Sequence, residues 1–141
     1  MTPAPPWTVL LTIPNFVTAG SGRALVNLAE RLDRQHFTPV VGVKYAADTP
    51  LERRLAELGF EVIEIDLAIA PKPYVTLPLR ARRAGRELRR RGVAVVHSFD
   101  YGDSYTEAIA ARSAGARYVS TKKNMGWGSR ACCSRGSPST R

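Results

Sequence analysis

Three short stretches of this chain bring together side chains that can do chemistry. The first is Gly20-Ser21-Gly22-Arg23, set just before a helical pattern. Glycines let a backbone approach an anion closely, and the first free N–H groups of a helix point at it. The stretch therefore suits contact with a phosphate or a sugar hydroxyl. It equally suits an ordinary strand-to-helix turn. The second is His97-Ser98-Phe99-Asp100-Tyr101-Gly102-Asp103-Ser104. Its histidine can bind a hydroxyl or shuttle a proton, with Asp100 beside it. The competing reading is a buried histidine satisfied by backbone, with Asp103 or Ser104 capping the next helix. The third is Ser120-Thr121-Lys122-Lys123-Asn124. Its lysines act on a phosphate as point charges, or sit as solvated surface groups.

Other chemistries fit poorly. A dinucleotide fingerprint needs a third glycine where Leu25 stands, and its glycines belong in the first tight turn after the strand. No acid follows Val43-Lys44 to take a ribose hydroxyl, and no Walker lysine follows the glycines. An NAD(P)-dependent reductase fragment is thus an alternative that the spacing disfavours. The two cysteines, Cys132 and Cys133, are adjacent. That placement suits neither a mutual disulfide nor a spaced zinc site. No metal is expected.

The elements that must position these residues are legible from periodicity. Trp7 to Ile13 is a continuous apolar run, a buried strand ending at Pro14. Ser21 is a candidate N-cap for a helix whose stripe is Leu25, Leu28, Ala29 and Leu32. Phe37 to Val43 predicts a second strand. Thr49-Pro50-Leu51-Glu52 is a capping box with proline at the first helical position, and Gly59 ends that helix. Phe60 to Ile65 alternates apolar and acidic residues, a strand nearer the sheet edge. A proline-containing loop from Asp66 to Tyr74 leads to a helix over Leu77 to Arg91. Leu77, Ala81, Ala84 and Leu88 form its inward stripe, and Gly92 stops it. Val93 to His97 is the fourth strand. Ser104 and Glu107 form a second capping box, and Gly115 ends that helix. Arg117 to Thr121 is the fifth strand. Alternating strands and helices imply right-handed crossovers. The expectation is an α/β, Rossmann-like, doubly wound parallel sheet of about five strands with helices on both faces. It fills residues 1–128. A disordered tail, residues 129–141, follows.

The 141 residues and 44% hydrophobic content suffice for one domain with a real core. The net charge is +9 and unevenly placed. Arg80 to Gly92 holds seven arginines and one acid, and Arg117 to Arg141 holds six basic residues and no acid. The rest of the chain is slightly acidic. The Arg80–Arg91 segment is either a solvated helix face or a surface for anionic lipid headgroups or an acidic partner. No aromatic residues interleave the arginines, so nucleic acid is not an expected partner. A cytoplasmic protein is expected, with a peripheral place on the inner face of the membrane if the basic segment docks there.

Together these pieces resemble the N-terminal domain of a GT-B retaining glycosyltransferase of the large family called family 4. Gly20-Ser21-Gly22-Arg23-Ala24-Leu25-Val26-Asn27-Leu28-Ala29 is similar to that family's glycine-rich loop and first helix. Val93-Ala94-Val95-Val96-His97-Ser98 resembles its fourth strand, which a histidine commonly ends. Ala116-Arg117-Tyr118-Val119-Ser120-Thr121-Lys122-Lys123-Asn124 resembles its fifth. The resemblance implies sugar transfer from a nucleotide-sugar to an acceptor hydroxyl with retained configuration. No metal is needed, because protein dipoles and cations neutralise the leaving diphosphate. The N-terminal domain of such enzymes mostly binds the acceptor, and the C-terminal one binds the nucleotide-sugar. Carried over by position, Gly20, Ser21, Gly22 and Arg23 approach the donor from the acceptor side. His97, Asp100 and Tyr101 line the acceptor side, with His97 and Asp100 as the catalytic candidates. Lys122, Lys123 and Asn124 lie where phosphate is met, and Lys123 stands near where many members carry a histidine. The acceptor is a sugar acceptor, lipid-linked or membrane-associated in many members. No counterpart of the donor domain is visible, so a truncated or frame-shifted reading with little activity of its own is expected.

Overall fold

The computed structural model describes residues 6–17, 19–67, 74–99 and 106–121. Its elements run β1 (Trp7–Ile13), α1 (Ala19–Arg31), β2 (Phe37–Val43), α2 (Pro50–Glu57), β3 (Glu61–Glu64), a 3₁₀ turn (Tyr74–Thr76), α3 (Leu77–Arg90), β4 (Val93–Ser98), α4 (Thr106–Ala114) and β5 (Arg117–Ser120). All strand pairs are parallel, in the order β3-β2-β1-β4-β5. The chain walks outward from β1 to β3, crosses back, and walks outward again through β4 to β5. This is a Rossmann-like α/β fold, and the reversal beside β1 is where such sheets open a crevice.

Strand periodicity assigns the two faces. Val9, Leu11 and Ile13 join Val41, Val43, Leu25, Val26, Ala29 and Leu55 in the core beneath α1 and α2. Leu10 on the opposite face joins Val40, Val96, Ala81, Leu88, Ala110 and Ala111 beneath α3 and α4. Leu10, Leu11, Leu25, Leu55 and Leu88 are fully buried. Each such side chain contributes about 1.5–3 kcal/mol relative to exposure. The central strands are apolar throughout because both of their faces are covered. β3 is an edge strand, as its alternation suggests, and β5 is the other edge.

The helix signals act as expected at most ends. Thr49 accepts from the Glu52 amide, and the Glu52 carboxylate accepts from the Thr49 amide, closing the capping box. Gly59 and Gly115 follow α2 and α4 with positive φ. Phe60 and Ala116 then donate back to Leu55 and Ala111, tying off the last carbonyls. β3 and β5 are each shorter than the apolar runs that predict them. Their flanks still bond to the sheet, Ile65 N to Val43 O and Thr121 N to Ser98 O.

One expectation fails. α1 starts at Ala19, so Gly20, Ser21 and Gly22 lie inside its first turn and Ser21 is not an N-cap. The turn beneath explains this. Asn15 Oδ1 accepts from the Val17 amide and Phe16 is buried at 3% exposure, so a tight, anchored turn stands just ahead of the helix. Ser21 and Gly22 then extend the inward stripe of Leu25, Val26 and Ala29 by one turn.

Candidate functional site

The carboxyl ends of the strands gather polar groups. Thr12, at the end of β1, is 4% exposed, and its Oγ1 donates to Glu107 Oε2 at 3.2 Å. Glu107 reaches it from the first turn of α4. Thr12 is in register with Ser98 of β4, and Ser98 with Ser120 of β5. Register partners share a face. Three hydroxyl-bearing residues therefore form a row across the sheet end, on the side that α4 covers.

On the other flank of Thr12 lies Gly42 of β2. A Cβ there would come within 2.9 Å of Ile65 and 3.2 Å of Leu10, so a larger residue would force those side chains to shift. Beyond it, Lys44 Nζ meets Asp66 Oδ2 at 3.5 Å, with both side chains about half exposed. Thr12, Pro14, Gly42, Lys44, Asp66 and Glu107 line a crevice of about 30 Å³. That space suits a water or a single hydroxyl-bearing carbon rather than a whole ring. Nearby, Asn15 Nδ2 donates to Tyr45 Oη at 2.6 Å. The crevice thus offers two carboxylates, an ammonium and a hydroxyl.

The glycines of α1 separate into two kinds. A Cβ on Gly22 would come within 2.8 Å of Phe16 and 2.9 Å of Leu51. Gly22 lets α1 sit close on its neighbours, a packing reason for this glycine beside the donor contact that its spacing suggests. Gly20 has no such reason. A Cβ would meet nothing within 4 Å, and its φ is not positive. Between them Ser21 is 1% exposed, and its Oγ has no hydrogen-bond partner. Arg23 is exposed on the next turn.

His97 sits on the other face of the sheet from Ser98. Its Nε2 is 2.7 Å from Thr121 Oγ1, and its ring stacks on Phe99 with centroids 4.6 Å apart. Burial lowers its pKa below the usual 6.5, so the imidazole is neutral at pH 7. No described carboxylate pairs with it. It is a hydrogen-bonding group here, not a cation. Asp100, Tyr101, Lys122, Lys123, Asn124 and the tail of residues 129–141 lie outside the described residues.

Periodicity could not reveal the Thr12–Glu107 and Lys44–Asp66 contacts. Glu107 reads as a capping residue and Lys44 as a surface charge. Only their shared place at strand carboxyl ends signals more. Among the described residues no group of three histidine, cysteine or acidic side chains is placed to hold a metal.

A larger cavity of about 230 Å³ opens at the opposite, amino end of the strands. Leu10, Val40 and Val93 contribute apolar walls, and Arg91 and Glu61 are its charged lining residues. Those two charges pair with each other at 3.1 Å, leaving little for a polar ligand. The smaller carboxyl-end crevice is the better site on chemical grounds.

Comparison with known proteins agrees on the fold. No family model matches the chain, and no curated protein sequence does. Among solved structures, it is similar to a glycosyltransferase from Rickettsia africae ESF-5, with TM-score 0.61 and 19% identity, over 81% of this chain and 29% of that one. It is also similar to MurG from Acinetobacter baumannii, with TM-score 0.54 and 18% identity, over 81% of this chain and 34% of that one. The chain therefore shares the Rossmann-like fold of these structures. It spans about a third of the length of the structures it resembles.

Proposed function

We propose that this chain forms the acceptor-side wall of a sugar-transfer site of the GT-B, family 4-like type. The donor wall then comes from a further domain or a second polypeptide. The carrying observation is the Thr12–Glu107 pair and its crevice at the sheet's switch point, in a fold shared with glycosyltransferases. Carboxylates beside an ammonium suit an acceptor hydroxyl, which donates to a carboxylate and accepts from Lys44. Neutral His97 offers a further uncharged hydrogen bond. Gly20 leaves room for a donor group at the start of α1, where backbone N–H groups favour a phosphate. Asp100, Tyr101 and Lys122 to Asn124 would complete the wall, as the family resemblance implies. Nicotinamide dinucleotide binding has less support, since Gly22 has a packing reason of its own.

With only one wall, the chain should release almost no nucleoside diphosphate from any nucleotide-sugar. Coupled assays on the purified chain test this across a donor panel, with hydroxylated acceptors present. Steady turnover by the chain alone would refute the one-wall reading.

A further inference from the structure

α3 carries two opposed stripes. Leu77, Ala81, Ala84, Gly85 and Leu88 turn inward, buried or half-buried. Val75 in the preceding turn, Leu79, Arg82, Arg83, Arg86 and Arg90 are all exposed. At 3.6 residues per turn the five on α3 fall within an arc of about 100°, and Val75 lies in the 3₁₀ turn just before them. The arc is neither an ordinary solvated face nor a simple charge run. Its start exposes two aliphatic side chains, Val75 at 91% and Leu79 at 65%. Its remaining turns are arginine.

The acids of this region serve the flank instead. Glu87 holds Arg91 at 2.8 Å and Arg90 at 3.3 Å, and Glu61 holds Arg91 from the other side. Arg89 donates to the Ser113 carbonyl of α4. Among the described residues no carboxylate pairs with Arg82, Arg83 or Arg86. Three guanidinium groups thus face outward uncompensated, beside exposed aliphatic side chains. The helix is about 21 Å long. No described helix is long and apolar enough to cross a membrane.

We propose that this outward face of α3 docks the protein on an anionic membrane surface. The arginines meet lipid phosphates, and Val75 and Leu79 enter the boundary between headgroups and acyl chains. Charge complementarity selects an anionic partner. The aliphatic tip selects a lipid boundary over nucleic acid, whose bases prefer stacking platforms. Topology adds an orientation. α3 runs back from the end of β3 to the start of β4, so its apolar tip lies at the carboxyl end of the sheet. The aliphatic part of the docking face therefore lies at the same end of the sheet as the Thr12–Glu107 pair. The docking itself does not depend on the sugar-transfer reading.

Co-sedimentation of the full chain tests this, using equimolar phosphatidylglycerol–phosphatidylcholine vesicles and pure phosphatidylcholine vesicles. Binding is expected to the anionic vesicles and to weaken as salt rises. Each of Arg82→Gln, Arg83→Gln and Arg86→Gln should weaken it about fivefold. Leu79→Ser should weaken it about tenfold and leave less binding resistant to salt. All four positions are exposed, so circular dichroism should show unchanged folding. Equal binding to both vesicle types, or none, overturns the proposal. So does tighter binding to a DNA duplex that Leu79→Ser leaves unaffected.

Discussion

The two ends of one sheet treat their polar groups in opposite ways. At the amino end, Arg91 bridges Glu61 and Glu87, and the charges beside a roomy cavity satisfy each other. At the carboxyl end the space is smaller but the chemistry is less settled. Thr12 and Glu107 share a half-buried hydrogen bond, Ser21 Oγ is buried without a partner, and Gly20 faces open space. Volume alone favours the amino end, and the proposed site lies at the other. Charges pair at both ends, but the carboxyl end also buries a hydroxyl, Ser21 Oγ, without a partner.

Substitutions can break or sharpen this contrast. The largest effect should come from the two glycines of α1. Gly22→Ala should destabilise the fold by about 1–3 kcal/mol, because Phe16 and Leu51 must move aside. Gly20→Ala should instead stabilise it by about 0.5–1 kcal/mol, since it removes a helical glycine with space to spare. Urea unfolding of both variants measures the difference. Equal destabilisation would mean that Gly20 also has a packing role.

Smaller effects should separate the two ends. Thr12→Val should cost about 1–2 kcal/mol, because it leaves a partly buried carboxylate short of one donor. Arg91→Ala should cost less than about 1 kcal/mol, as exposed ion pairs contribute little. The reverse ranking in denaturant melts would place the tightly held polar pair at the amino end. The smallest effect concerns His97. Its folded pKa lies below 6.5, so the unfolded chain binds more protons between the two values. Stability conferred by neutral His97 is complete above 6.5 and is lost as pH falls toward the folded value. His97→Gln should flatten that slope in melts across mildly acidic pH.

Much of the fold was legible because local signals agreed with one another. The apolar runs marked β1, β2 and β4, the Thr49–Glu52 box opened α2, and Gly59, Gly92 and Gly115 closed three helices. Leu77, Ala81, Ala84 and Leu88 were readable as the inward stripe of α3. The start of α1 was not, because glycine propensity argues against a helix where Phe16 and the Asn15 turn demand one. The site was legible only in outline. His97 stands at the end of its strand, but its partners are Thr121 and Phe99. The Thr12–Glu107 pair joins positions 95 residues apart, and no local pattern reports that contact.

The most direct test of the carboxyl-end assignment is an amide NMR titration of the whole chain with nucleotide-sugars and hydroxylated acceptors. Resonances of Thr12, Gly20, Lys44 and Glu107 should move, while those of Thr38, Glu61 and Arg91 stay in place. Ligand-dependent shifts centred on Glu61 and Arg91, with Thr12 and Glu107 unmoved, would contradict the account.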